Sequence, residues 1–256
     1  GLASGEHTVV LSKATEGQNG HNRLVSVTAD AILPAPPLPE RRIEYIGDSI
    51  MAFWGAPLVD KDHEANACRA ALRCQERLSE LHREWEKQGG VTLPTRIGIH
   101  SGPTIVGNMG SDERMNYSVL GDSVNLASRL EGVNHRYGTQ IIISEDTYEK
   151  VSVRFQARPL DLVAVKGKRQ GKRIYELMAE TGKPGNEGLE ALCRGSSEAF
   201  SFYMAKDWAS ARDAYQRLRD RFPEDKVTAM HLERSTRYAE EPPADDWDGI
   251  VRLSTK

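Results

Sequence analysis

The sequence predicts a mixed fold of α-helices packed against a β-sheet, followed by a small helical extension. Three observations predict it. Strand and helix patterns alternate from residue 43 to residue 178. The polar stretch AETGKPGNEG at 179–188 reads as a linker. From 189 to 241 apolar residues recur at helical spacing, with Ala199, Phe202, Trp208, Ala211, Tyr215 and Leu218 on the stripe.

Residues 1–42 are poorly patterned. Leu24 to Ile32 reads as one short strand, and Pro34, Pro36, Pro37 and Pro39 as an extended loop. Ile43 to Phe53 alternates around Gly47-Asp48, which predicts two short strands about a tight turn. Asp60 to Gln88 has helical periodicity through Ala65, Cys68, Ala71, Leu72, Leu78 and Leu81, and Gly89-Gly90 stops it. Thr95 to His100 is a strand that Ser101-Gly102-Pro103 is expected to end. Tyr117 to Leu120 runs into Gly121-Asp122 and a helix from Ser123 to Tyr137, stopped at Gly138. Gln140 to Ser144 is a β-branched strand, after which Ser144 caps a short helix with Glu145 and Asp146 in its first turn. Two last strands flank Lys166-Gly167-Lys168. In the extension, Phe222-Pro223-Glu224-Asp225 separates two helices that resemble a single tetratricopeptide-like hairpin. One such repeat cannot bury its own face, so it is expected to pack on the preceding domain or on a partner. The end is a polar tail carrying Trp247 as an aromatic hook.

A chain of 256 residues allows one large domain, or one with a small appendage. Apolar residues at 39% and charged residues at 28% are ordinary for a soluble globular protein with a real core. A net charge of −3 argues against a nucleic-acid binder, which normally carries a basic stripe. No run of about 18 apolar residues is present to span a membrane. The start, GLASGEHTVVLSK, lacks the apolar core of a signal peptide and an initiator Met, and reads as a fragment; an upstream sensor or membrane module fits such a fragment. Cys68, Cys74 and Cys193, with no CxxC spacing, suit a reducing cytoplasm, and the first two read as half-buried helix filler.

The chemistry centres on Asn125 and Arg129. Four residues apart on a helix, they project from one face. An amide and a guanidinium so placed hold a sugar oxygen and a phosphoryl oxygen together, and the planar fork of Arg suits phosphoryl groups. An isolated N-x-x-x-R is ordinarily a solvated surface pair; here the context is distinctive. The strings Arg96-Ile-Gly-Ile-His100-Ser-Gly102, Gly107-Asn-Met-Gly110 and Tyr117-Ser-Val-Leu-Gly121-Asp122-Ser-Val-Asn125-Leu-Ala-Ser-Arg129-Leu-Glu131 occur in that order. Before them stands Ile46-Gly47-Asp48-Ser-Ile-Met51-Ala-Phe-Trp-Gly55-Ala-Pro57, and after them Val165-Lys166-Gly167-Lys168. Together these blocks closely resemble the signature of the class III adenylyl/guanylyl cyclases, over roughly residues 43–178. The helical tail at 189–256 more weakly resembles the extension of bacterial cyclases with sensor modules.

The resemblance implies an α+β, ferredoxin-like βαββαβ sandwich with a C-terminal helical hairpin, and an enzyme that converts a nucleoside triphosphate to its 3′,5′-cyclic monophosphate and pyrophosphate. It implies that Asn125 orients the ribose, Arg129 stabilises charge at the α-phosphate, Lys166 binds the triphosphate and Asp48 binds metal. Lys168 either assists Lys166 or is solvated. Two Mg²⁺ or Mn²⁺ ions per site, and a head-to-tail homodimer with sites shared between subunits, are implied in the same way. Two positions select the purine in this family, and here they hold Glu44 and Ser118. A carboxylate accepts from N1–H and the 2-amino group of guanine, and a hydroxyl donates to O6, so GTP is expected. Ser118 can also accept from an adenine amino group, which keeps ATP as the alternative.

The sequence departs from the family at its start. No apolar-apolar-Asp-Ile-x-Gly-Phe-Thr string is present, and the nearest candidate for the first metal aspartate is Asp30, otherwise a strand-end residue. A catalytically impaired, cyclase-like regulatory domain is therefore the reading from another class.

Overall fold

The computed structural model describes residues 3–14, 42–46, 49–89, 94–111, 114–164 and 171–252. The chain divides into two compact units, Gly1–Val151 and Ser152–Lys256.

The first unit contains β1 (Ala3–Ala14), β2 (Arg42–Ile46), β3 (Ser49–Trp54), α1 (His63–Lys87), β4 (Thr95–Ser111), β5 (Arg114–Leu120), α2 (Asp122–Tyr137), β6 (Ile141–Ser144) and α3 (Glu145–Val151). Its strands lie in the order β2-β3-β1-β4-β6, with β5 folded back on β4. The pairs β2–β3, β3–β1 and β1–β4 are antiparallel, and β6 runs parallel to β4. That antiparallel order, with α1 joining β3 to β4, is the expected ferredoxin-like arrangement. α1 packs through small residues: Ala65, Ala67, Cys68 and Ala71 are buried. Gln75 Nε2 donates to the Thr95 carbonyl at 2.7 Å and ties the helix to β4.

Two expectations change here. The first described strand is Ala3–Ala14, a segment whose apolar run is only Val9-Val10-Leu11. Its twelve residues pair with β4 from Ala3↔Val106 to Ala14↔Thr95, so neighbours on both sides recruit it where its own pattern is faint. The strand expected at Leu24–Ile32 lies outside the described residues. The second change is in β4, which does not end at Ser101-Gly102-Pro103 but continues to Ser111. Proline removes one donor at Pro103, and the strand is carried past it by β1 on one side and then by β5, from Ile105↔Leu120 to Ser111↔Arg114.

The second unit contains β7 (Phe155–Ala164), β8 (Lys172–Glu180), α4 (Glu187–Met204), α5 (Trp208–Arg221), α6 (Lys226–Glu240) and β9 (Ile250–Arg252). β7 pairs antiparallel with β8 and parallel with β9. The helical extension is three helices, not a hairpin of two. The helix expected to run unbroken to Arg221 stops at Met204, where Lys206 takes a positive φ of 62° and Asp207 restarts the chain as an N-cap, accepting from the Ser210 amide at 3.1 Å. The Trp247 hook lodges among Tyr203, Trp208 and Tyr238, with ring centroids 5.5, 4.9 and 6.1 Å away.

This unit carries some of its charges inside. Arg158, 2% exposed, donates from Nε to Glu176 at 2.7 Å and forks onto Asp225 at 2.7 and 2.8 Å. Asp225 also caps α6 by accepting from the Thr228 amide at 2.8 Å. Burial works to raise the Asp225 carboxyl, but the Arg158 and Thr228 bonds outweigh it and hold it below its ordinary range. Burial prevails at Glu176 and raises it, against the pull of Arg158. Arg234 pairs with the fully buried Asp161 at 2.7 Å. His231 Nε2 lies 2.8 Å from the Leu160 carbonyl and its ring stacks on Tyr215; burial pushes the imidazole down to about 4, so the neutral ring donates.

The three cysteines are free. Cys68 is buried, Cys74 is half-buried, and burial pushes the Cys193 thiol up to about 12, which leaves it inert. No described helix is long and apolar enough to cross a membrane.

Candidate active site

The site is organised around α2, which begins directly after the β4–β5 hairpin. Gly121, at φ 142°, forms the entry, and Gly138, at φ 66°, ends the helix in the left-handed conformation. The inner face of α2 is pressed onto β4. A Cβ at Gly98 would sit 2.2 Å from the Ala127 carbonyl oxygen and 2.3 Å from the Glu131 nitrogen, so only glycine admits this approach. Asn134, fully buried, donates from Nδ2 to the carbonyls of Ile97 on β4 and of Leu130 and Glu131 on the helix, at 3.0, 3.1 and 3.1 Å. Its Oδ1 accepts from the Thr139 hydroxyl at 2.8 Å. Arg96 Nε donates to Glu131 Oε1 at 2.9 Å. These contacts fix both the height and the rotation of the helix.

That rotation decides where Asn125 and Arg129 face. Each lies two residues from the buried Ala127, so at about 100° per residue each points about 160° away from it, on opposite sides. The two therefore meet on the outer face, four residues apart, and both are exposed. Neither side chain has a hydrogen-bond or ion-pair partner among the described residues. An amide and an always-charged guanidinium held side by side on a rigid helix can grip adjacent oxygens of a phosphorylated ligand.

Beneath the helix one apolar cluster joins three elements: Met51 and Phe53 of β3, Val106 and Val119 of the hairpin, and Ala127 of α2, with Tyr117 and Val124 packed on it. The Phe53 and Tyr117 rings are 6.1 Å apart. Half-buried Ser118 lies between Tyr117 and Val119 and pairs in the ladder with Gly107. Glu44 is the ladder partner of Met51 on β2. Tyr117 and Val119 face the cluster with β3, so by strand alternation Ser118 lies on the opposite face of β5.

Asp48, between the end of β2 and the start of β3, lies outside the described residues, as do Asp30, Lys166 and Lys168. Among the described residues no group of three or more His, Cys, Asp and Glu side chains is placed to hold a metal ion. Pattern reading missed the residues that hold the Asn125/Arg129 pair in place: Gly98, Asn134, and the Arg96–Glu131 ion pair. Gly98 and Arg96 lie inside the Arg96-Ile-Gly-Ile-His100 string, but their partners stand about 30 residues away, and only the fold pairs them.

Residues 29–179 match the family model described as the adenylate and guanylate cyclase catalytic domain. The chain is 40% identical over 136 residues to adenylate cyclase 1 of Rhizobium meliloti (strain 1021), covering 53% of this chain and 20% of that protein. It is 31% identical over 195 residues to the terminal-differentiation specific adenylate cyclase of Dictyostelium discoideum, covering 75% of this chain and 9% of that protein. The chain therefore spans a fifth or less of the length of these two relatives. The crystal structure of the adenylyl cyclase CyaB from P. aeruginosa superposes with a TM-score of 0.57 at 25% identity, covering 72% of this chain and all of that one. The guanylate cyclase domain of RhGC from Catenaria anguillulae, in complex with GTP, superposes with a TM-score of 0.53 at 28% identity, over 69% of this chain and 97% of that one. The family match covers more than half of the chain and includes α2 with its outward Asn125 and Arg129: the chain belongs to the adenylate and guanylate cyclase catalytic domain family, of class III.

Proposed function

We propose that this chain closes a nucleoside triphosphate into its 3′,5′-cyclic monophosphate with release of pyrophosphate, and that GTP is the preferred substrate. The observation that carries the reaction is the Asn125/Arg129 pair, exposed on a helix whose other face is locked to the sheet. In the reaction the ribose 3′-hydroxyl gives up its proton to solvent and its oxygen forms a bond to the α-phosphorus as the bond to the departing pyrophosphate breaks. Asn125 holds the ribose, and Arg129 donates to the α-phosphoryl oxygens where negative charge builds up. Lys166 neutralises the triphosphate. Most of the catalysis is positioning of groups that do not themselves react.

Asn125 and Arg129 face away from the core of their own unit. The remaining contacts to nucleotide are proposed to come from a second copy, in a homodimer with two shared sites. The catalytic part is taken as 43–178 and the helices of 189–256 as its extension. A triphosphate substrate and three free cysteines fit a cytoplasmic location.

Cyclases of this class are generally dependent on a divalent metal. Asp48 is the carboxylate proposed for Mg²⁺ or Mn²⁺ at the β2–β3 turn, and Asp30 the proposed second. Beside that turn the β1–β3 register sets Lys13 opposite Ser49. A bound metal lowers the pKa of a ligated hydroxyl and neutralises phosphate charge.

The GTP preference rests on Glu44, with Ser118 in support. A carboxylate satisfies the paired donors of guanine and leaves adenine with none to offer together. The names of the Rhizobium and Dictyostelium relatives favour ATP as a second reading. Product analysis by mass spectrometry, after incubation with GTP and ATP together and Mn²⁺, tests both. Cyclic GMP in excess is expected. An excess of cyclic AMP refutes the role given to Glu44, and no product at all marks the chain as an impaired cyclase.

A further inference from the structure

His100 lies on β4 beneath the start of α2, only 6% exposed, and the reaction does not use it directly. Its two ring edges face different elements. Nδ1 is 2.8 Å from the Ser144 hydroxyl and 3.8 Å from Asp146 Oδ2. Ser144 belongs to a small buried polar corner: its oxygen lies 3.1 Å from the Thr147 hydroxyl and accepts from the Thr147 amide at 3.3 Å. The Ser101 hydroxyl lies 3.0 Å from the Thr147 hydroxyl. This side of the ring is thus clamped to the junction of β6 and α3.

The other edge faces Gly102. A Cβ there would lie 2.9 Å from His100 Nε2 and 2.9 Å from the Ser123 hydroxyl oxygen. The imidazole and the first turn of α2 therefore close over the same space, and it is left free only because residue 102 has no side chain. Ser123 in turn donates to the Pro103 carbonyl at 2.8 Å, which ties the helix start to the strand just past Gly102. Asn125 and Arg129 follow two and six residues later on the same helix.

We infer that His100 is a positioning residue for the site: clamped at Nδ1 to the Ser144–Thr147 corner, it braces with its far edge the Gly102–Ser123 junction, and so sets where Asn125 and Arg129 stand. This rests on the function proposed above for that pair. A histidine that merely fills the core contributes folding stability alone. A brace also sets kcat, because a displacement of about 1 Å in a positioned group lowers the rate by as much as 100-fold.

His100→Asn and His100→Gln separate the two edges. The Asn side chain reaches Ser144 but leaves the far edge empty, while Gln extends to the position of Nε2. His100→Asn is expected to lower kcat about tenfold with KM within about twofold, and His100→Gln to restore most of the loss. Gly102→Ala alone is expected to lower kcat at least as far, since its methyl collides with both neighbours. Adding His100→Asn to it should recover part of the rate, because the methyl then occupies the vacated space. An unchanged kcat in His100→Asn, or a double variant no better than Gly102→Ala, overturns the inference. Hydrogen exchange at the amides of 123–127 is read on the same proteins. If the wild type makes no cyclic nucleotide, the proposed function fails and exchange alone decides. Faster exchange there in His100→Asn at an unchanged melting temperature supports the brace, and unchanged exchange refutes it.

Discussion

The buried ion pairs of residues 152–256 and the outer face of α2 in the first unit treat polar side chains in opposite ways. In residues 152–256, Arg158 is packed inside with Glu176 and Asp225, Arg234 with Asp161, and the buried His231 ring with the Leu160 carbonyl. On α2 in the first unit, Asn125 and Arg129 stand exposed with no described partner, while the same helix buries Ala127, Leu130 and Asn134. A buried ion pair consumes its own donors and acceptors and becomes costly to disturb. An exposed fork keeps its donors for a ligand and can be removed with little harm to the fold. The comparison assigns structure to one set of charges and chemistry to the other, and the following substitutions test that division.

The largest effect is expected at Arg158. Replacing it with Met keeps the volume but leaves the Glu176 and Asp225 carboxylates facing each other without a cation. Removing one partner of a buried pair costs about 3–5 kcal/mol. A urea unfolding curve should show that loss for residues 152–256. A cost below about 1 kcal/mol would put the network in the class of exposed surface pairs and break the comparison.

Arg129→Ala should do the reverse. Loss of a preorganised donor to developing charge lowers kcat by about 10²–10³-fold. Because the side chain is exposed with no partner among the described residues, stability should move by no more than about 0.5 kcal/mol. A cyclase assay and a thermal melt on the same preparation read both quantities. A large fall in melting temperature would mean that Arg129 belongs to the structural set.

Next comes His231. Its imidazole, ordinarily near 6.5, is pushed down to about 4 in the folded protein by burial, against the partial support of Asp161. The unfolded chain therefore takes up a proton first as pH falls. The stability contributed by the neutral, buried ring is fully present above about 6.5, is lost as pH falls from there, and the loss levels off below about 4. The size is about 3 kcal/mol from the shift. Melting temperatures measured from pH 7 to pH 4 should decline in the wild type and decline much less in His231→Gln, whose amide can still donate to the Leu160 carbonyl. An equal decline in both would assign the acid sensitivity to other groups.

The same division explains what was legible in the sequence. The outward pair was readable because Asn125 and Arg129 obey helical spacing and sit between glycines that bound the helix, and neither needs a distant partner to be recognised. Turn glycines and alternation marked β2, β3 and α1 to within a few residues. The buried network was not legible, because nothing local in Arg158, Asp161, Asp225 or Arg234 announces pairing across 18 to 73 positions. β1 was missed for the same reason, since a central strand is made by its two neighbours more than by its own residues. The break at Lys206 was hidden by apolar residues that continue at helical spacing on both sides of it. The site itself was found through strings of residues in order, and the contacts that orient it, from Gly98 to Asn134, became visible only in the fold.

The smallest expected effect tests whether the two ends of α2 are equivalent. Gly138 closes the helix at φ 66°, a conformation that costs an alanine about 1 kcal/mol. Gly138→Ala should therefore lower the stability of the first unit by about that amount, read from a denaturation midpoint. It lies about 20 Å along the helix axis from Asn125, at 1.5 Å per residue. The contacts of Asn134, the Arg96–Glu131 pair and the seat at Gly98 all intervene. If these anchor the helix as described, strain at its C-terminal end is absorbed before it reaches the outer pair, and kcat per folded molecule should be unchanged. A fall in kcat larger than the loss of folded protein would mean that α2 moves as one rigid rod, so that the exposed pair is coupled to the stability of the whole helix.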